Sequence, residues 1–393
     1  TGEPMNAEPI FTDLIGVMAV ILMVPVIFIW LEKKTGWKVF NYLPAIIWIF
    51  LTPVFLSNFG VIPRRSEVYD TFKSFAVPLF IVLMLLDINI KEAMKVAWRG
   101  AIVLVIGAVG VVVGAVIAFV MFRSGLPPNS WSGFGALAGS WIGGTGNLAA
   151  VAESLNTPAE QLGLVVIVDN FVYLAYFPLI LVCKRWAKPF NKWTGVSQAQ
   201  LDHFTEVTQQ VERKTHEVHF SDILTLLGWA FVAMLAANWI STLIPPLPPV
   251  LTQRTWALLL VTTFGILLST TKLREVPGTE PLAMAFVYIY MTMIGASADL
   301  RELGGGQFFL IAGFLTIGVH LVFVLVGAKL LKLDVSMAAV ASVASVGGAA
   351  SAPVAAGYHR EELVPISIML ALIGYALGNY LGVATAYLCN MLG

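Results

Sequence analysis

Charge is what this chain has least of. Asp, Glu, Lys and Arg make up 12% of its 393 residues, while 58% are apolar. Soluble domains carry about 25% charged residues. No soluble fold of this length hides so much apolar surface, so ordinary soluble enzymes are excluded and a polytopic membrane protein is expected. Neither sign of charge is in excess: 23 Lys+Arg stand against 23 Asp+Glu. That leaves no net basic field to hold nucleic acid. The two cysteines, Cys183 and Cys389, cannot form a disulfide framework. There is no Walker-type loop, GxSxG, HExxH or zinc spacing, so no enzyme and no resident cofactor is expected. The first apolar run has no basic flank, only Glu3, Glu8 and Asp13, which argues against a cleavable signal peptide.

What is present is apolar sequence in long runs. A spanning helix takes roughly 20 residues. Runs bounded by charge or by Pro/Gly clusters fall at 14–31, 42–56, 72–86, 101–122, 133–152, 162–182, 223–244, 255–271, 281–296, 307–331, 336–356 and 363–392. A polar stretch with Lys184, Arg185, Lys188, Lys192, Glu206, Glu212, Arg213, Lys214, His216 and His219 interrupts them. It divides the chain into a first part, 1–183, a polar linker, 184–221, and a second part, 222–393, each part with about six spans. The basic cluster at 184–192 marks the cytoplasmic side by the positive-inside rule, but Lys33, Lys34, Lys91, Lys95 and Arg99 point the other way.

Two of these runs resemble each other. The fifth contains Gly143-Gly144-Thr145-Gly146-Asn147 and the eleventh Gly347-Gly348-Ala349-Ala350-Ser351, an offset of 347 − 143 = 204. Upstream, the segment from Asp87 to Glu92 matches that from Ser297 to Glu302, at 297 − 87 = 210. Two matches in the same order point to duplicated halves. Paired glycines in a span break the helix, and the freed backbone groups then need protein, an ion or a water-lined cavity. Interrupted spans at matching places in two halves are the sequence mark of a transport site, and close packing through small residues is the competing reading.

Few polar residues lie inside the runs. Asp169, beside Asn170, sits within 162–182. A carboxylate at membrane depth costs at least about 2.5–3.5 kcal/mol and is usually functional or paired. It can bind sodium or carry a proton; capping a broken helix is the bland alternative. His320, central in 307–331, can pair with Asp169 or rest as a neutral imidazole on a backbone carbonyl. Asn379, near Tyr375 and Tyr380, can line a cavity or bond across helices. Glu153 follows the first break and can face the pathway. Asp87 and Asp299 read as caps at span ends.

The glycine-rich break at 139–147, the Ala-Val-Ala-Glu153 that follows, Asp169-Asn170 with Tyr173, and the second break followed by 374–379 resemble the YjcL-like family of integral membrane proteins. That family is similar to the cation:proton antiporter and anion transporter superfamily, which includes sodium/proton antiporters and bile-acid-type sodium symporters. The resemblance implies an all-α fold of two inverted repeats, each with a discontinuous helix crossing at mid-membrane, a panel and a core that moves like an elevator, and a homodimer. It places the site at Gly143, Gly144, Thr145, Gly146, Asn147, Asp169, Asn170, His320, Gly347, Gly348, Ser351 and Asn379, with sodium at Asn147, Asp169 and Ser351. Antiporters of this kind show Asp-Asp or Asn-Asp where this chain has Asp169-Asn170, which sets plain cation/proton exchange in doubt. The expected function is sodium-driven symport of a small organic anion or amino-acid-like solute in a bacterial inner membrane, with cation/proton antiport as the alternative. One conflict stands. Five spans separate the two interrupted ones, which gives them the same orientation; inversion requires that a short segment such as 255–271 does not cross, or that a crossing was missed.

Overall fold

The computed structural model describes residues 9–37, 39–42, 45–86, 90–196, 217–298 and 306–393, for 41–42 and 90–96 the backbone alone. The upstream repeat match, apart from Ser297 and Ala298, and most of the polar linker lie outside the side chains so described. Among the described residues the chain is helix and loop, with one isolated bridge between Leu247 and Leu251 and no strand. The first part holds α1 (Leu14–Thr35), α2 (Ala45–Asn58), α3 (Glu67–Leu86), α4 (Ile90–Phe122), α5 (Ser130–Ser154) and α6 (Ala159–Val182). A short α7 (Ala187–Thr194) follows. The second part holds α8 (Phe220–Ser241), α9 (Gln253–Leu268), α10 (Thr279–Ser297), α11 (Gly306–Leu331), α12 (Val335–Val346), α13 (Gly348–His359) and α14 (Val364–Leu392).

Helices α1, α3, α4, α6, α8, α11 and α14 are long and apolar enough to cross a membrane. Their ends are specified locally. The Asp13 carboxylate accepts the Ile15 and Gly16 N–H groups at 3.0 Å, and Gly36 in the left-handed conformation ends α1 after Lys33 and Lys34. Asp334 caps α12 in the same way, accepting from Ser336 and Met337. The surface inverts that of a soluble protein: Leu235 and Leu330 are 71% and 70% exposed, while Asn147, His320, Ser342 and Asn379 are buried. An integral membrane protein is the consequence.

The runs at 133–152 and 336–356 are broken as expected but do not traverse the bundle, and this corrects their place among the spans. Helix α5 folds back on itself: a methyl at Gly135 would lie 3.1 Å from Leu155 Cδ1, and one at Gly139 3.1 Å from Val151 Cγ2. In a straight helix those pairs would be roughly 30 and 18 Å apart. Both ends of α5 sit beside the start of α6, where the Gln161 amide donates to the Pro128 carbonyl and Ser132 Oγ to Gln161 Oε1. Helices α12 and α13 form a second hairpin, closed at its open end by Arg360 and Asp334, 3.5 Å apart. That end lies beside the far end of α6: Lys184 Nζ donates to the Tyr358 carbonyl at 2.6 Å and His359 Nε2 to the Ile180 carbonyl at 3.0 Å. The two hairpins therefore enter the bundle from opposite ends.

This removes the parity conflict. Helix α9 does run end to end, starting beside Ser154 and passing Leu85 in the last turn of α3. The conflict arises from the two interrupted segments, which turn back instead of crossing. With both re-entrant, the five traversing helices α6, α8, α9, α10 and α11 between them place their open ends on opposite sides.

The helices sort into two groups. Helices α1, α2, α3, α8, α9 and α10 pack mainly with one another, and α4, α5, α6 and α11 to α14 form the other group. The second group is held by small residues. Helices α4 and α11 run antiparallel, with Gly110 against Phe323 and Gly114 against the Thr316 backbone. Gly374, Gly378 and Gly382 of α14 face hairpin residues Ile142, Asn147 and Gly139. Such stripes allow the close backbone approach on which membrane helix packing depends.

Candidate functional site

Each hairpin turns on a glycine. Gly144 has φ 75° and ψ −175°, and Gly348 has φ 60°. L side chains avoid this region, so residue type dictates where the helix breaks. The two positions differ by 348 − 144 = 204, the offset of the sequence match. The tips meet inside the bundle: a methyl on Gly348 would lie 3.8 Å from Gly144 Cα, and methyls on both would lie 3.4 Å from Tyr375 Cε1. The Tyr375 hydroxyl accepts the Ala349 N–H at 3.2 Å. Two helix N-termini, the return arms, and two C-termini, the entry arms, converge here. Their free N–H and C=O groups carry partial charges of both signs. One of those carbonyls, Trp141, accepts Ser345 Oγ at 2.9 Å.

The intramembrane polar residues fall into separate networks around these tips. Asn147 Nδ2 donates to the Tyr375 carbonyl at 2.9 Å and to Asn379 Oδ1 at 3.1 Å, and Asn379 Nδ2 donates to Thr262 Oγ1 of α9 at 2.9 Å. Asp169 accepts Ser140 Oγ at 3.1 Å. The Trp141 indole N–H faces the same carboxylate without completing a hydrogen bond. One turn on, the Tyr173 hydroxyl reaches Ser351 at the second tip, also without a well-formed hydrogen bond. So Asp169 and Ser351 flank Tyr173, while Asn147 bonds to α14; among the described residues no hydrogen bond joins the three expected sodium ligands. Asn170 turns to its own helix, its amide donating to the Val166 carbonyl at 2.7 Å. Thr145 and Gly146 sit at the first tip, with Gly146 against Met84 of α3.

His320 is elsewhere, and its suggested pairing with Asp169 is not formed. Its Nδ1 lies 2.9 Å from the Gly107 carbonyl and its Nε2 2.8 Å from Ser342 Oγ, which lies 2.6 Å from the Tyr176 hydroxyl. A carbonyl only accepts, so Nδ1 carries the proton. Nε2 then accepts from Ser342, and Ser342 accepts from Tyr176. Every member of this buried chain is satisfied by a neutral imidazole tying α4, α6, α11 and α12 together.

Two cavities approach the tips along the seam between the helix groups. The larger, about 800 Å³, opens beside the exit of the first hairpin and is lined by Val77, Ala150, Glu153, Arg254, Leu258 and Val261. It reaches inward to Ala150, three residues past Asn147. The smaller, about 30 Å³, lies on the other side, between Met84, Thr279 and Met284 on one group and Ala349, Leu372 and Tyr375 on the other.

A family model described as a protein of unknown function (DUF819) matches residues 19–392. The chain belongs to this family. It is also 30% identical over 338 residues to the uncharacterised membrane protein YjcL of Bacillus subtilis (strain 168), covering 83% of this chain and 85% of the relative. The family model's match runs through both hairpins, so the family resemblance noted on the breaks extends over nearly the whole fold.

Several residues of the site carry no sequence signal of their own. Ser140, Trp141 and Thr262 are ordinary polar or aromatic residues in apolar runs, and the fold alone brings them to Asp169 and Asn379. Tyr173 was legible in principle, because it stands four residues after Asp169 and shares its helix face. Lys73 and Arg254 lie at run ends, where cations normally read as solvated.

Proposed function

We propose that the protein is an ion-coupled secondary transporter that works by alternating access. The observation that carries this reading is the pair of opposed re-entrant hairpins meeting tip to tip on the seam between two helix groups, with a wide cavity from one end and a narrow one from the other. In this reading α4 to α6 and α11 to α14 are the core, the remaining long helices are the panel, and the order of four traversing helices, hairpin, traversing helix is an inverted repeat. Sliding of the core would close the large cavity and open the small one. The converging N-termini suit an anionic group, and the C-termini together with Asp169 suit a cation. Sodium-driven symport of a small organic anion or amino-acid-like solute follows; the homodimer and the bacterial inner membrane belong to the same proposal.

Reconstitution tests it. Proteoliposomes with an inward sodium gradient should accumulate a labelled carboxylate or amino acid, and Asp169→Asn should abolish the sodium dependence. Absence of sodium-dependent uptake across such solutes would sink symport. The second reading, cation/proton antiport, rests on Asp169 being, among the described residues, the one carboxylate set against a hairpin arm inside the core. It predicts instead a dye-reported proton flux on adding sodium or potassium, lost in the same variant.

A further inference from the structure

The large cavity contains two cations that the transport reading leaves unused. Lys73 lies two turns into α3 with its side chain 13% exposed. Its ion partner among the described residues is Asp70, 3.8 Å away on a side chain 83% exposed at the rim. A contact that loose and that wet does little to offset the desolvation of the ammonium. Arg254, in the first turn of α9, enters the same cavity from the other wall. Its guanidinium is 3.3 Å from Glu153 Oε1 and 2.5 Å from Asn156 Oδ1, both at the exit of the first hairpin. Glu153 Oε2 also receives the Tyr290 hydroxyl at 3.4 Å. Arg254 and Tyr290 belong to the panel group and Glu153 to the core group, so this cluster bridges the seam at the cavity mouth.

From this arrangement we infer that the cavity binds a small carboxylate-bearing solute through Lys73 and Arg254, and that Glu153 is the internal competitor that occupies Arg254 in its absence. Lys73 supplies an underpaired positive charge on the inner wall. Arg254 supplies the planar fork that takes a carboxylate in two parallel hydrogen bonds. A bare cation would meet Lys73 at once and would have to separate Glu153 from Arg254 to find a partner, so cationic solutes are disfavoured. An amino acid is admitted, since its ammonium can stay with Glu153 while its carboxylate turns to Arg254. The inference takes the cavity's place on the pathway from the proposed transport function, but binding itself needs no transport.

Isothermal titration of the purified protein tests it, with sodium succinate, sodium glutamate and choline chloride at matched ionic strength. At least one carboxylate should bind and choline should not. Lys73→Gln and Arg254→Gln should each weaken carboxylate binding by roughly tenfold or more, the size of a charged hydrogen bond. Glu153→Gln should tighten succinate binding by removing the competitor. Melting without ligand reports whether each variant is folded, and Lys73→Gln leaves the seam bridge intact if the Arg254 variant is not. Choline binding, no carboxylate binding in the wild type, or a loss of succinate affinity in Glu153→Gln equal to that in Arg254→Gln would overturn the inference. Carboxylate binding with the expected variants but no uptake in proteoliposomes would overturn the transport function and leave this site standing; uptake with unchanged affinity in Lys73→Gln would do the reverse.

Discussion

The two hairpins share a design and differ in how firmly they are held. The first is enclosed: of its 25 residues nearly all are buried, and the glycine stripe of α14 lies along it. Its tip is tied through Asn147 and Asn379 to Thr262, and its exit through Glu153 to Arg254, so it is bonded across the seam at two levels. The second hairpin shows its return arm at the surface, with Val354 60% and Tyr358 48% exposed. Its tip has one completed hydrogen bond to α14, from Ala349 to Tyr375, and a Tyr173 hydroxyl whose bonding is unfinished. Local opening follows packing and satisfied hydrogen bonds. The first hairpin is thus anchored along both arms, while the second is held by its buried entry arm, α12, through Ser342 and Ser345, and only its return arm, α13, has freedom to move.

The strongest test of that contrast adds one methyl to each hairpin's surroundings. At Gly378 a methyl would lie 2.5 Å from Asn147 Nδ2 and 2.8 Å from its Cγ. Gly378→Ala should therefore overpack the contact and disturb two hydrogen bonds, about 3 kcal/mol or more together. At Gly357, on the exposed arm, the nearest atom to a methyl is Val364 Cγ2 at 3.9 Å. Gly357→Ala should leave stability unchanged or raise it by about 0.5–1 kcal/mol, since helical glycine is entropically unfavourable. Thermal unfolding in detergent separates them; equal shifts would abolish the distinction between a clamped and a loose hairpin.

A smaller effect is expected from the tips themselves. Asn147→Ala leaves the buried Asn379 Oδ1 acceptor without its donor, removes a second bond to the Tyr375 carbonyl, and should cost about 1–3 kcal/mol. Ser351→Ala removes a half-buried hydroxyl with no completed bond to protein and should stay within about 0.5 kcal/mol. If Ser351 meets a transported ligand or ion, its loss appears in uptake and not in melting. A large stability loss in Ser351→Ala would show that the second tip is as firmly built as the first.

Much of this was legible in the sequence, and what was not has a physical reason. Gly144 and Gly348 announced the breaks because glycine takes a positive φ without the steric cost of a Cβ. The runs gave the traversing helices because their length and apolarity are set by the membrane. Whether a broken helix crosses or turns back was not written there: the same glycine serves a kink and a hairpin, and the contacts that decide it, Gly135 with Leu155 and Arg360 with Asp334, are tertiary. His320 shows the same limit. A buried imidazole reads alike as a switch or a tie, and only its partners at Gly107 and Ser342 identify it as a tie between helices.

The smallest expected effect bears on the order Asp169-Asn170, where sequence pattern and geometry point in different directions. The pattern of antiporters puts the ion-binding group second, which here would be the amide. The structure sets the first residue against hairpin one, with Ser140 donating to Asp169, and returns Asn170 to the Val166 carbonyl of its own helix. A side chain bonded back to its own turn adds little to a helix that is already hydrogen-bonded. Asn170→Ala should therefore change melting by less than about 0.5 kcal/mol and leave sodium-dependent uptake near wild type, whereas Asp169→Asn removes the charge that faces the hairpin arm and abolishes it. Measured side by side in one proteoliposome preparation, the two variants decide which residue carries the coupling ion. If Asn170→Ala is the one that silences uptake, the amide must leave Val166 during the cycle, and the ion site forms in a conformation other than this one.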